Sequence, residues 1–404
     1  MKILFVADDV YPGFGGQARS TEGHVAALAR LGHEIRVLAG AEPRPTQAPH
    51  GVRVDRLPSW RLGATQTRFA HPIVSRIARH VAWADVVHAN TPAALTAVTA
   101  HLARRRRVPV VMGVHTQLET STLHAPLVGP VVARLLTTWY RYLFGLADLL
   151  VTPTPYAARL VTPFTDREPV PVSNGIDLAG IRRSTAAAEA RETGVRRLAF
   201  VGRLSPEKRP LDLLPLMHEL PEHYHLTIAG HGPLAGEMEA AIARRGLQHR
   251  VTLAGFVGEA EKLELLARTE AFLMPSPAEL QSIATLEALA SGAPVFAWDY
   301  QSSAVPSLVR EAGAGAVVQP GDPRAQAGAI VSLLEDPEAL AAASTRGRAY
   351  GRSHDVALSA ARLEQLYAGL VSAKRGARSP RLAAGKAFGP ARGRVAAQQE
   401  GART

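Results

Sequence analysis

The chain passes twice through the same alternation of short apolar runs and helix-length amphipathic segments, and that repeat decides what it can fold into. In the first pass the strand candidates are Ile3–Ala7, Ile35–Ala39, Val52–Leu57, Asp85–Ala89, Val108–Val114 and Leu149–Thr152. Helical periodicity fills Gln17–Leu31, Ile73–Trp83, Pro92–Arg106 and Pro130–Leu146. The second pass gives strands at Leu198–Val201, Leu226–Ala229, Val251–Leu253, Ala271–Met274, Val295–Ala297 and Ala316–Val318. Its helices fall near Glu207–His218, Pro233–Arg245, Glu259–Arg268, Ser282–Ala290, Asp322–Leu334 and Glu338–Tyr350. Alternation of this kind argues for parallel sheets with helices on both faces. The fold class is therefore α/β, with two doubly wound domains facing each other across a cleft. Helical periodicity lapses in the Pro-rich segment Pro163–Asn174, which marks the seam. The expected division is 1–170, 171–352, a last helix within 353–373, and a tail at 374–404.

With 404 residues, 47% of them hydrophobic, each half can bury a core of its own. There is no cysteine, which excludes disulfides, thiolate metal sites and cysteine nucleophiles and suits a reducing cytoplasm. No uninterrupted apolar stretch approaches the ~18 residues of a membrane span. The apolar run after Met1 is too short for a signal peptide and reads as a first buried strand. The formal charge is +11, and +7 of it lies from Lys374 onward, where eight basic residues meet one acidic residue, Glu400. That tail is rich in Ala, Gly, Pro and Arg and is expected to be disordered. It reads either as a solvated tail or as an electrostatic hold on anionic lipid or nucleic acid.

The chemistry is densest between Ser276 and Pro294. Ala271–Met274 ends at Pro275, and a helix starts near Ser282, whose hydroxyl suits an N-cap. Gly292 and Pro294 close that helix. Two carboxylates, Glu279 and Glu287, thus flank a helix N-terminus beyond the C-terminal end of a parallel strand, where open α/β sheets bind ligands and where anions are favoured. Gly15-Gly16 follows the first strand without the G-x-G-x-x-G spacing of a dinucleotide site. His115 stands at the tip of Val110–Val114, and His88 at the tip of the preceding strand; both read as cleft-facing or structural. Gly202-Arg203-Leu204-Ser205-Pro206-Glu207-Lys208 places two cations around a turn, which suits a pyrophosphate. Gly230 and Gly232 read as backbone geometry.

Taken in order, these stretches resemble the retaining glycosyltransferases of family four, which have the two-domain, Rossmann-like GT-B fold. The resemblance rests on Gly15-Gly16, Val114-His115-Thr116, Asn174-Gly175-Ile176-Asp177, Gly202 to Lys208, and Gly230-His231-Gly232-Pro233-Leu234. It ends on Glu279 with Glu287-Ala288 and on Gly292-Ala293-Pro294-Val295. It implies that the last helix crosses back to the first domain. It implies that Arg203 and Lys208 bind the donor pyrophosphate, Glu279 the donor sugar and Glu287 the donor ribose. It further implies that backbone N–H groups of Gln281, Ser282 and Ile283 lie near sugar and phosphate, that Gly16 and Gly202 line the donor site, and that His115 contacts the sugar near the reaction centre. No metal or other cofactor is implied.

Two departures stand out. Ser307 replaces a usual Glu, and Leu280-Gln281-Ser282 stands where many relatives have Gly-Phe-Gly, which predicts bulk beside the sugar. The expected partners are a UDP- or GDP-sugar donor and a lipid or glycan acceptor, with no nucleic acid. Arg104–Arg107 and the tail are candidates for an anionic membrane surface, as is a helix after Pro130 with Val131, Leu135, Trp139 and Leu143 on one side and Arg134 and Arg141 on another. His115-Thr116-Gln117-Leu118-Glu119 resembles members that glycosylate membrane lipids. The expected location is cytoplasmic, free or peripheral on the inner face of the plasma membrane. The alternatives are a nucleotide-sugar epimerase of the same architecture and a non-catalytic nucleotide-sugar or nucleic-acid-binding protein.

Overall fold

The computed structural model describes residues 1–11, 15–43, 45–61, 68–115, 130–187 and 194–374. Two parallel sheets organise them. The first has the order β3 (Val52–Leu57), β2 (Glu34–Gly40), β1 (Lys2–Val6), β6 (Val86–Ala89), β7 (Val110–Gly113), β8 (Leu149–Thr152), β9 (Val170–Pro171). The second has the order β12 (Val251–Gly255), β11 (Tyr224–Ala229), β10 (Arg196–Val201), β13 (Ala271–Met274), β14 (Val295–Trp298), β15 (Gly315–Val318). A small antiparallel hairpin, β4 (Ser59–Arg61) and β5 (Arg68–Ala70), stands apart.

In the first lobe the helices are α1 (Gly16–Arg30), α2 (Val74–Trp83), α3 (Ala94–Arg105), α4 (Pro130–Leu146) and α5 (Pro155–Val161). The second lobe carries α6 (Leu178–Ala187), α7 (Leu213–Glu219), α8 (Ala235–Arg244), α9 (Glu259–Arg268) and α10 (Ile283–Ser291). It continues with α11 (Val305–Ala312), α12 (Pro323–Leu334) and α13 (Pro337–Arg352), and α14 (Val356–Lys374) ends the described chain.

The central strands are nearly continuous apolar runs, as strands covered on both faces must be. Alternate residues of β1 serve opposite cores: Ile3 and Phe5 pack on one side of the sheet, Leu4 and Val6 on the other. In the second lobe Phe200, Phe272, Phe296 and Trp298 fill the core from three adjacent strands. Each sheet reverses its strand order once, between β1 and β6 and between β10 and β13. A crevice opens beyond the C-terminal strand ends at such a point.

The last helix returns to the first lobe. Val356, Ala360, Leu363, Tyr367 and Val371 recur at helical spacing and join Ile3, Phe5 and Leu28 in one core. The return path is fixed at Asn174-Gly175-Ile176-Asp177. Ile176 N–H donates to His354 O at 2.9 Å, and Val356 N–H donates to Ile176 O at 3.0 Å. Gly175 has φ +74°, and a Cβ there would lie 2.6 Å from Val356 Cα, so the crossing requires glycine.

Several elements differ from the sequence expectation. The helix expected over Glu207–His218 is two 3-10 turns, Pro206–Lys208 and Pro210–Asp212, followed by α7. Pro210 has no N–H with which to continue a helix, and Arg209 turns left-handed at φ 47°. The β4–β5 hairpin, β9, α5, α6 and α11 add to the elements read from sequence. Thr116 to Glu119, Pro12 to Phe14 and the basic tail beyond Lys374 lie outside the described residues. Among the described residues no helix is long and apolar enough to cross a membrane.

Candidate active site

Loops from both lobes converge on the cleft, after β10 and β13 in the second lobe and after β1 and β7 in the first. In the second lobe, β10 ends at Gly202 and the turn after it carries Arg203 and Lys208. Ser205 N–H donates to Arg203 O at 3.0 Å, and Lys208 N–H to Ser205 O at 2.9 Å, which winds the two cations around one short turn. Arg203 is exposed. Lys208 reaches the neighbouring loop, where its Nζ donates to Glu279 Oε1 at 2.5 Å. The two cations therefore flank a 3-10 turn rather than the start of an α-helix. The glycines behind them are steric: a Cβ on Gly230 would lie 1.8 Å from Gly202 O, and one on Gly232 2.3 Å from Leu204 O.

The Glu279 loop is held from the far side by the segment after β14. Ala304 N–H donates to Glu279 O at 2.8 Å, and Ser302 Oγ donates to Pro277 O at 2.6 Å. Ser307, the departure noted from sequence, is exposed on α11. The chain then enters α10 through Ser282, which has φ 67° and caps the helix by accepting from Thr285 N–H at 3.3 Å. A non-glycine residue in this region is strained, and such strain is held only where surrounding contacts enforce it. Gln281 supplies those contacts. Its Oε1 accepts from Asn174 N–H at 2.9 Å, and its Nε2 donates to Ser173 Oγ at 3.0 Å. The Gln281 side chain therefore ties the Glu279 loop to the lobe seam, and the bulk expected from sequence at this position turns to the seam.

One turn into α10, Glu287 is 4% exposed. Its Oε1 accepts from Lys262 Nζ at 2.7 Å, and its Oε2 is buried with no hydrogen-bond partner among the described residues. Burial pushes this carboxyl above its ordinary pKa, and the Lys262 ammonium opposes the shift. Burial also works against charge on Lys262, but Glu287 and Glu259 outweigh it and raise that pKa.

Across the cleft, Gly15 turns the backbone at φ 91° into the N-terminus of α1. A Cβ on Gly16 would lie 4.0 Å from Ile283 Cδ1, so the N-termini of α1 and α10 approach each other across the gap. Each presents backbone N–H groups that its own helix leaves unpaired. His115 is half-buried at the end of β7, beside Asn174. Burial and the nearby His24 lower its pKa to about 3, so it is a neutral imidazole.

His88 does not join the cleft. Its Nδ1 pairs with the Tyr367 hydroxyl of α14, and its ring stacks on Phe5 at 5.0 Å. It is a structural histidine of the crossover. Neither Gln281 nor His88 was separable by sequence pattern from its functional reading. Lys262 and Glu259 gave no motif signal, because Glu259 and Lys262 at i,i+3 look like an ordinary helix-surface pair.

In the first lobe, the apolar stripe expected on α4 divides. Leu143 is buried with Tyr140 and Phe144, and Trp139 Nε1 donates to Pro92 O at 2.9 Å. Leu135 is 63% exposed and Tyr142 49%, beside exposed Arg134 and Arg141. Arg104 leaves the expected basic run to cap α4, donating to Gly145 O at 3.0 Å.

The family model for glycosyl transferases group 1 matches residues 182–350, and that for glycosyltransferase family 4 matches residues 14–179. The chain is 30% identical over 313 residues to a GDP-mannose-dependent alpha-mannosyltransferase of Mycolicibacterium smegmatis, covering 74% of this chain and 80% of the relative. It is 28% identical over 418 residues to a glycogen synthase of Mycobacterium tuberculosis, covering 94% and 97%. Among solved structures, HepE of Anabaena in complex with UDP and glucose superposes with a TM-score of 0.70 at 20% identity, over 91% of this chain and 99% of that one.

Proposed function

The chain belongs to the family-four glycosyltransferases, with the GT-B fold, and on that premise we propose that it moves a hexosyl group with retention of anomeric configuration. The proposed donor is a UDP- or GDP-sugar, and the proposed acceptor is a hydroxyl of a membrane lipid or cell-envelope glycan. The observation that carries this reading is the meeting of the α1 and α10 N-termini across the cleft beside Lys208 and Arg203. Together they form a positive, backbone-lined seat for a diphosphate.

In this reading Arg203 and Lys208 stabilise the charge that develops on the departing β-phosphate. Lys208 and Glu279 hold each other until a donor arrives. The diphosphate then competes for Lys208, and Glu279 is freed to accept hydrogen bonds from sugar hydroxyls. Glu287 offers its unpartnered Oε2 to a ribose hydroxyl. Backbone N–H groups of Gln281, Ser282 and Ile283 face the phosphates and sugar, and Gly16 and Gly202 let the backbone approach. His115, neutral, hydrogen-bonds the sugar rather than supplying charge. The acceptor hydroxyl attacks from the leaving-group face, forming the new C1–O bond as the C1–O(phosphate) bond breaks, and its proton passes to the departing phosphate. No residue is assigned as general base, and turnover is expected to survive a metal chelator.

The exposed face of α4, with Leu135 and Tyr142 beside Arg134 and Arg141, suits an anionic lipid surface and supports a membrane-borne acceptor. The test is turnover of a panel of UDP- and GDP-sugars on lipid and glycan acceptors, with product configuration read by NMR coupling. GDP-mannose comes first because the Mycolicibacterium relative uses it. An α-linked product from an α-linked donor is expected. An inverted product contradicts the retaining reading, and an epimer formed without acceptor favours the epimerase.

A further inference from the structure

The site contains a cation that donor recognition, as described above, does not use. Lys262 stands on α9 with its side chain largely enclosed, and its Nζ is shared between two carboxylates, Glu287 Oε1 at 2.7 Å and Glu259 Oε1 at 2.9 Å. We propose that Lys262 is the positioning residue of the donor-ribose site: it holds the Glu287 carboxylate in one rotamer and in its ionised form, so that Oε2 is presented to the ribose hydroxyls. This inference rests on the assignment of Glu287 to the donor ribose.

Three observations carry it. First, a carboxylate as buried as Glu287 tends to take up a proton unless a counter-charge is fixed beside it. Lys262 is the cation placed to do this. Second, the hydrogen bond is made to one oxygen only. Oε1 is occupied, and Oε2 is enclosed and has no partner among the described residues. A carboxylate clamped at one oxygen presents the other in a defined direction. A buried acceptor left without a partner is costly unless a ligand supplies one. Third, Lys262 itself is held. Glu259, the first residue of α9, takes a second of its three protons, and Glu259 Oε2 lies 3.9 Å from Arg19 Nη1 on α1. Lys262 is thereby fixed from its own helix and from the far side of the cleft, and it is left to act through Glu287 rather than on a phosphate. A lysine serving only to pack α9 against α10 would need neither the empty Oε2 nor the second carboxylate.

The experiment measures the Kd of UDP and of GDP, each beside its 2′,3′-dideoxy form, by calorimetry on the full chain. The variants are Lys262→Met, Lys262→Arg and Glu287→Gln. Lys262→Met is expected to weaken binding of the preferred ribonucleotide about tenfold or more, the scale of a lost hydrogen bond to a charged group, while changing the dideoxy form less than about twofold. Lys262→Arg is expected to restore the ribose preference. Should Lys262→Met unfold, Lys262→Gln keeps one N–H donor without the charge and is expected to fall between wild type and Met. Equal losses for ribo and dideoxy ligands, or no loss, would overturn the proposal and leave Lys262 a packing residue. If Glu287→Gln abolishes the ribose preference while Lys262→Met keeps it, this inference falls alone. If Glu287→Gln keeps the preference, the ribose assignment falls and this inference with it.

Discussion

The two lobes meet the cleft with different chemistry. The second presents paired charge: Lys208 against Glu279, Lys262 against Glu287, with Arg203 exposed beside them. The first presents mainly glycine and uncharged imidazole: Gly15, Gly16 and His115, whose pKa is lowered to about 3 as is that of His88 buried away from the cleft, with Arg19 of α1 approaching Glu259. Burial sets the histidines, and partners within one lobe set the charges. A site divided in this way can recognise an anionic diphosphate on one side without tying up the side that must admit a neutral hydroxyl. In the proposed function charge stabilisation falls to Arg203 and Lys208, because an imidazole with a pKa of about 3 carries no proton to give at neutral pH.

The largest expected effect tests this division directly. Lys208→Ala should lower kcat about 10²–10³-fold, as loss of a group facing developing charge does, with the fold intact by circular dichroism. His115→Gln should cost about tenfold, the scale of one hydrogen bond. Comparable losses in steady-state kinetics would erase the distinction between the lobes.

Next in size is the seam that holds the lobes in register. Gly175→Ala places a Cβ against Val356 at a left-handed φ and should destabilise by about 2 kcal/mol or more, read by urea unfolding. Gln281→Ala leaves Asn174 N–H without its acceptor and should cost about 1–3 kcal/mol, with relaxation of the strained Ser282 turn visible as weaker donor binding.

The pH response should follow the first lobe and the seam. His24 and His354 have pKa values lowered to about 4, and His88 and His115 to about 3, all by burial first. Each lies below the 6.5 of a free imidazole, so as pH falls through 6.5 the unfolded chain binds more protons than the fold. The stability these groups contribute above pH 6.5 is lost progressively toward pH 4. Asp8 works the other way: burial raises it to about 6, so it favours the fold in acid and that favour is lost as pH rises through 6. His33 is also lowered by burial and Glu287, like Asp8, is raised by it, so five histidines against two carboxyls predict a melting temperature that falls between pH 7 and pH 5. A flat profile would mean that the imidazoles are less enclosed than described. The smallest effect is expected at the surface of α4, where Leu135→Ser with Tyr142→Ser should weaken sedimentation with anionic vesicles and leave donor binding unchanged.

Much of the fold was legible because parallel strands are announced by uninterrupted apolar runs, and all six strands expected in each lobe are present. What escaped was short or decided at long range. The Ser59–Arg61 and Arg68–Ala70 strands are too brief to show a period. α11 has Pro306 in its first turn, which reads as a loop unless proline is taken as a helix-starting residue. The candidate site was legible where chemistry clustered locally, as at Arg203 to Lys208 and Glu279 to Glu287, stretches that the fold brings into contact through Lys208 and Glu279. It was not legible where tertiary contact decides. His88 points to Tyr367, 279 residues away, and Gln281 turns to the seam, 107 residues away. Lys262 finds Glu287 only because α9 packs against α10 beneath the cleft.

The account stands on the claim that charge recognition of a nucleoside diphosphate belongs to the second lobe, and thermal shift of the full chain against UDP, GDP and ADP tests that claim most directly. At about 100-fold saturation one of them should stabilise the wild type by roughly 2.7 kcal/mol. The stabilisation should vanish in the Arg203→Ala, Lys208→Ala double variant and persist in His115→Gln. A shift that survives loss of both cations, or one abolished by His115→Gln alone, would contradict it.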